Sequence, residues 1–273
     1  MEEICKVRTL TNQPFAVNFA IARHDGQYQE LLEVAIEEKV PAISITGANP
    51  QPIFERIKGE NIRTLVLVAG ARQAQKAEQL GADAVMAVGQ EGGRHLGRDD
   101  IGTMVLTPRV VDSVSIPVLA SGGIGDGRGL LAALALGAEG IEMGTRFIAT
   151  QECVHANEKY KQAIVNAKES DTVIIKRTIG SPGRVLKSEF TLDIIEREKE
   201  GATYEDLQDI ISGKANCRYI YDGNEAEGFG WAGQVIGLIK NIPTVQELFD
   251  EMILTAEKGL SRIGNIMGER THR

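Results

Sequence analysis

Within seven residues, Glu91-Gly92-Gly93-Arg94-His95-Leu96-Gly97 places a carboxylate, a histidine and three glycines just after the apolar run Ala84 to Val88. Histidine changes charge near neutral pH, so it suits proton transfer. Glycine lets the backbone turn sharply and approach a ligand closely. In that setting His95 is the candidate acid or base. The other histidines fit blander roles: His155 reads as a helix cap or packing residue, and His24 and His272 read as surface residues.

Two further small-residue turns follow strand-like runs. Ser121-Gly122-Gly123-Ile124 succeeds Val118 to Ala120, and Gly144-Thr145 succeeds Gly140 to Met143. Backbone N–H groups at such turns bind phosphate. In parallel barrels the loops after the last two strands frequently form that site. Either turn alone is equally consistent with a plain glycine-rich connection; the pair is the stronger signal. A dinucleotide fingerprint does not fit, because a frame on Gly123 and Gly125 requires glycine where Arg128 stands.

These turns need a scaffold of alternating strands and helices. Strand-like runs fall at Phe15 to Ala20, Ala42 to Thr46, Thr64 to Val68, Ala84 to Val88, Val118 to Ala120 and Gly140 to Met143. Helical segments fall between them at Tyr28 to Glu38, Pro52 to Lys58, Arg72 to Leu80, Thr107 to Val114 and Gly127 to Leu136. Short, continuous apolar runs suit strands covered on both faces, as in a parallel sheet. Gly81 and Gly137 stand where a glycine closes the preceding helix. After Phe147 the rhythm changes to a helix over Asn157 to Ala167, an extended run Thr172 to Arg177, an exposed charged helix over Asp193 to Glu200 and a closing helix from Thr244 to Leu260. Six strands leave two readings for 1–150, part of a ligand-binding (β/α) barrel or an open doubly wound sheet, with a C-terminal extension packed on it over 151–273.

Composition removes other classes. The net charge of −8 supplies no basic face for nucleic acid. Cys5, Cys153 and Cys217 are dispersed, with neither a disulfide framework nor a CxxC pair, which fits a reducing cytoplasm. Met1-Glu2-Glu3-Ile4 does not begin a secretory signal, and no apolar run is long enough to span a membrane. No cluster has metal-ligand spacing, no nucleophile elbow is present, and Cys153 has only His155 near it in sequence.

The run Gly81-Ala82-Asp83-Ala84, the segment Glu91 to Gly97, the run Pro117-Val118-Leu119-Ala120-Ser121-Gly122-Gly123-Ile124 and the stretch Gly137-Ala138 to Gly144-Thr145-Arg146-Phe147 together resemble the nitronate monooxygenase (2-nitropropane dioxygenase-like) family. The flavin-dependent enoyl-acyl-carrier-protein reductases of the same superfamily share these motifs. The similarity continues through Val17-Asn18, Thr46-Gly47-Ala48-Asn49-Pro50, Lys161 to Asp171-Thr172 and Trp231-Ala232-Gly233-Gln234-Val235-Ile236-Gly237-Leu238.

The resemblance implies a TIM-like (β/α) barrel holding FMN. By position, Gly122, Gly123, Gly144 and Thr145 hold the phosphate, with Glu142 and Met143 in the same segment. Asn18 lies near the flavin ring, Gly93 meets it through the backbone, and His95 is the catalytic base. The implied reaction is oxidation of alkyl nitronates or nitroalkanes with O2. The alternatives are NAD(P)H-dependent reduction of an enoyl thioester, or an inactive flavoprotein remnant. Three departures stand out. Arg94 occupies a family glycine position, which strains the chain if that position requires positive φ. Val88 stands where many monooxygenases have glutamine. Family members begin with about 60 further residues, two βα units of the eight in a full barrel. A barrel short of two strands leaves two sheet edges, and a second copy of the chain is the expected cover.

Overall fold

The computed structural model describes residues 1–21 and 28–268; His24 and His272 lie outside the described residues. Six parallel strands run in the order β1 (Ala16–Ile21), β2 (Ala42–Gly47), β3 (Arg63–Val68), β4 (Ala84–Val88), β6 (Val118–Ser121) and β7 (Gly140–Glu142). A two-residue strand, β5 (Arg94–His95), leaves this sheet and joins β9 (Gly183–Leu186) and β8 (Thr172–Ile175) in a small antiparallel sheet.

Register explains the helical cover. Phe19, Ile45, Val66, Val85 and Val118 stand side by side across five strands, each at most 5% exposed. Against this face pack Leu32, Ala35, Ile53, Ala74, Ala77, Leu106 and Val110 from the four intervening helices. Each fully buried branched side chain contributes roughly 1.5–3 kcal/mol, so this layer fixes the strands and aims all their carboxyl ends the same way. The result is the parallel α/β architecture of a (β/α) barrel, with β1 and β7 as the sheet edges.

Most element boundaries agree with the sequence to within a residue or two, and the exceptions have physical causes. The helix expected from Thr107 begins at Thr103, with Pro108 inside it. Its start is fixed by Glu91, whose carboxylate accepts the Thr103 N–H at 2.9 Å. The closing helix runs on to Gly268 and packs on the helix Gly127–Ala135. There a Cβ at Gly127 would lie 2.0 Å from the Met252 carbonyl oxygen, so the crossing requires glycine. The expected exposed helix is Glu189–Lys199, and it is not wholly solvated: Ile194 is 0% and Glu198 6% exposed.

Candidate functional site

Glu91 and Thr103 tie the histidine loop to the glycine turn. Thr103 Oγ1 donates within reach of Glu91 Oε2 and the Gly122 carbonyl, each at 2.9 Å. Gly122 and Gly123 adopt φ of 92° and 75°, the left-handed region that favours glycine. A Cβ on Gly122 would also come within 3.0 Å of the Gly89 oxygen and the Gly92 nitrogen. Glu91 is therefore a structural carboxylate that holds two loops together.

Ser121 Oγ donates to the Glu142 carboxylate, joining the ends of β6 and β7. Thr145 is buried, and its Oγ1 accepts the Gly233 N–H at 3.0 Å. Met143 is partly buried and packs against the cluster of Ala120, Ile124, Ala133 and Ala138. Among the described residues, no protein acceptor takes the N–H of Gly123 or Gly144. A Cβ on Gly144 would meet nothing within 4 Å. Unclaimed amides at two adjacent strand ends form an arrangement that suits an anionic group such as a phosphate. The structure thus brings Gly122, Gly123, Glu142, Gly144 and Thr145 together. Asn18 stands on the far edge strand, where its Oδ1 accepts from Ser44 Oγ at 2.9 Å, and it shares no hydrogen bond with that group. Gly93 is packed against the chain: a Cβ there would lie 2.9 Å from the Gly233 nitrogen.

His95 is held by the C-terminal residues. The β5–β9 bridge pairs His95 with Gly183, and the Leu96 N–H reaches the Pro182 oxygen at 2.9 Å. Arg98 Nε donates to the Gly180 oxygen at 3.1 Å, and Arg177 reaches both Asp100 oxygens at 3.1 Å. The imidazole lies 5.4 Å from the Trp231 ring, centroid to centroid. Its Nε2 is 3.2 Å from Lys176 Nζ, which itself sits 4.9 Å over the Trp231 ring. Lys176 is 6% exposed, whereas His95 keeps an open side. Protein packed against the imidazole, then the charges of Lys176 and Arg94, push His95 down to about 4. Burial pushes Lys176 down to about 8, opposed by Glu198 and assisted by Arg94. The imidazole is accordingly neutral at physiological pH.

Arg94, next to His95 in the chain, and Lys176 itself have left-handed backbones, at φ 66° and φ 65°. The family-glycine position does require positive φ, and Arg94 keeps that path at a cost of about 1–2 kcal/mol. Glu198 holds the second turn: its carboxylate accepts the N–H groups of Lys176 at 2.8 Å and Thr178 at 3.0 Å. Lys176 and Glu198 were not singled out from sequence, because neither belongs to a local motif and each acts across at least 20 residues. Trp231 was marked only by its place in the resembling run Trp231 to Leu238.

Parallel strands, glycine turns at their carboxyl ends and a histidine loop tied to one of those turns through Glu91 and Thr103 are the arrangement of a (β/α)-barrel enzyme site. The particular family follows from comparison. The family model described as nitronate monooxygenase matches residues 6–255, and the chain belongs to that family, a family of flavin oxidoreductases. The chain is 34% identical over 246 residues to a "Probable nitronate monooxygenase" of Staphylococcus saprophyticus, covering 86% of this chain and 68% of that protein. It is 30% identical over 298 residues to the (3aS,4S,5R,7aS)-5-hydroxy-7a-methyl-1-oxo-octahydro-1H-indene-4-carboxyl-CoA dehydrogenase of Rhodococcus jostii, covering 96% of this chain and 83% of that one. Among solved structures, FabK from Thermotoga maritima superposes with a TM-score of 0.90 at 35% identity, covering 97% of this chain and 83% of that one. Among the described residues no helix is long and apolar enough to cross a membrane, and no cluster of metal-ligating side chains occurs.

Proposed function

We propose that this chain binds FMN and oxidises alkyl nitronates, and nitroalkanes through their nitronates, with O2. The observation that carries the reading is His95, kept neutral on a loop that Glu91 and Thr103 tie to the glycine turn, next to strand ends whose Gly123 and Gly144 amides have no protein acceptor among the described residues. Gly122, Gly123, Gly144 and Thr145 are assigned to the phosphate, and Glu142 to ordering the turn through Ser121. The flavin, when bound, supplies the electron transfer to O2. Trp231 and Lys176 keep water from one side of His95 and fix its ring. His95 takes the proton α to the nitro group, and Arg94 lies close enough in sequence and charge to favour the anionic nitronate. Retention of FMN through desalting, together with oxygen uptake on adding a nitronate, is the expected result. A colourless protein that consumes no oxygen contradicts the reading.

A second reading is favoured by one contact. Lys176 as an ammonium donates to Nε2 and leaves the remaining proton of His95 on Nδ1, which makes His95 a proton donor. Reduction of an enoyl thioester by NAD(P)H needs such a donor, and the name of the Rhodococcus jostii relative specifies a coenzyme A thioester. NAD(P)H oxidation on adding a crotonyl thioester separates the two readings.

A further inference from the structure

We infer that Lys176 and His95 act as one proton relay, in which the reservoir for the proton that His95 exchanges with substrate is the Lys176 side chain. The inference rests on the reading that His95 faces the substrate, and it adds the group behind His95. Its basis is geometric. Lys176 Nζ and His95 Nε2 are 3.2 Å apart, and among the described residues no protein atom hydrogen-bonds the second ring nitrogen, Nδ1. Lys176 Nζ makes no other hydrogen bond there and no ion pair; it rests over the Trp231 ring. The Trp231 ring accounts for one face of the ammonium, and its one hydrogen-bond partner is His95 rather than a carboxylate, an uncommon arrangement for a buried lysine.

The charged groups facing the pair are few. Glu198, from the helix behind, binds the Lys176 backbone N–H and favours the ammonium. Arg94, on the strand carrying His95, disfavours positive charge on both groups. These surroundings make imidazolium costly, because His95 titrates only near 4, while Lys176 titrates near 8. A histidine that had to become imidazolium would be a feeble base here. The relay avoids that state.

In the base direction the substrate C–H bond breaks and an Nδ1–H bond forms. The Nε2–H bond breaks in the same exchange, and an N–H bond forms on the neutral Lys176 amine, giving ammonium. The electron pair of the C–H bond stays on the substrate as nitronate. In the donor direction every step reverses: Nδ1 gives its proton to a carbanion, and the ammonium returns one to Nε2. The ring is neutral before and after, with its proton moved from one nitrogen to the other. Neutral Lys176 therefore favours proton abstraction, and protonated Lys176 favours proton delivery.

The test combines an NMR readout with a substrate comparison. In protein carrying 15N-labelled histidine, with the His95 signals assigned from the His95→Gln variant, the tautomer is expected to shift as pH crosses about 8. It should not shift in Lys176→Met. In flavin-loaded protein, nitroalkane kcat/KM is expected to rise with pH through the same region. Lys176→Met should cost at least tenfold on nitroalkane and less than threefold on the preformed nitronate. Lys176→Arg keeps the donor but cannot release a proton, so it should lose the nitroalkane rise at high pH. A His95 tautomer indifferent to Lys176, or the same pH limb in all three proteins, overturns the relay. Wild-type protein that turns over neither substrate, yet shows the tautomer shift, contradicts the proposed function and leaves the relay standing.

Discussion

Glu198 Oε2 accepts the backbone N–H of Lys176 at 2.8 Å, and this one contact fixes a left-handed turn whose side chain reaches His95. The same carboxylate also accepts from the Thr178 N–H and hydroxyl. Glu198→Ala leaves two backbone donors without their acceptor and removes the charge that favours the Lys176 ammonium. The expected loss is about 1–3 kcal/mol in urea unfolding for each buried donor left unsatisfied. Lys176 is expected to titrate lower still, visible as a downward move of the His95 tautomer transition.

Lys176 itself costs stability. It titrates near 8 in the fold against an ordinary value of 10.5. Between those values the unfolded chain holds more protons than the folded one, so stability from this group rises with pH across that window. Below pH 8 the cost of the buried ammonium is fully present, on the order of 3 kcal/mol. Lys176→Met keeps the stem volume without the charge. It should raise stability at pH 7 by about 1–3 kcal/mol and flatten the rise between pH 8 and 10, as followed by urea midpoints.

His95 has the same sign in a lower window. Its value near 4, against 6.5 ordinarily, means the unfolded chain takes up a proton first as the pH falls below 6.5. Stability from this group is therefore lost progressively as the pH drops from 6.5 toward 4. Arg94→Gly removes one of the charges that depress His95 and relieves the strained φ of 66°. Relief of strain and the entropy of a new glycine nearly offset each other, each about 1 kcal/mol. The expected result is a His95 titration moved upward in 15N NMR with little change in urea midpoint.

Gly183 is where β5, β8 and Trp231 meet. A Cβ there would lie 2.7 Å from Trp231 Cζ3 and 3.0 Å from the Arg94 oxygen. Gly183→Ala should displace the indole, cost about 1–3 kcal/mol and raise the His95 titration as water reaches the ring. Tryptophan emission, which comes from a single residue, should shift to longer wavelength.

The parallel strands and their turns were legible because their signals are local, whereas the barrel itself was legible only through the family resemblance. Ala84–Val88 is a continuous apolar strand, and Gly122-Gly123 follows Val118–Ser121 at the place a βα turn must stand. His95 was marked as a candidate by its glycine loop. What surrounds it was not. The residue that holds its ring nitrogen lies 81 positions away, and the carboxylate that aims that residue lies in a segment whose charges read as a solvated face. Glu91 was visible as a carboxylate near His95, but its capping of the Thr103 helix depends on a fold-level approach that no spacing rule encodes.

The most direct test of the account is oxygen consumption by FMN-loaded wild-type and His95→Asn protein, each given a primary nitroalkane and its preformed nitronate. The account predicts that wild type consumes oxygen with both. The variant should lose at least about a hundredfold on the nitroalkane, the usual contribution of a positioned base, while keeping most of its rate on the nitronate. Equal loss on both substrates, or no oxygen uptake by wild type with either, contradicts it.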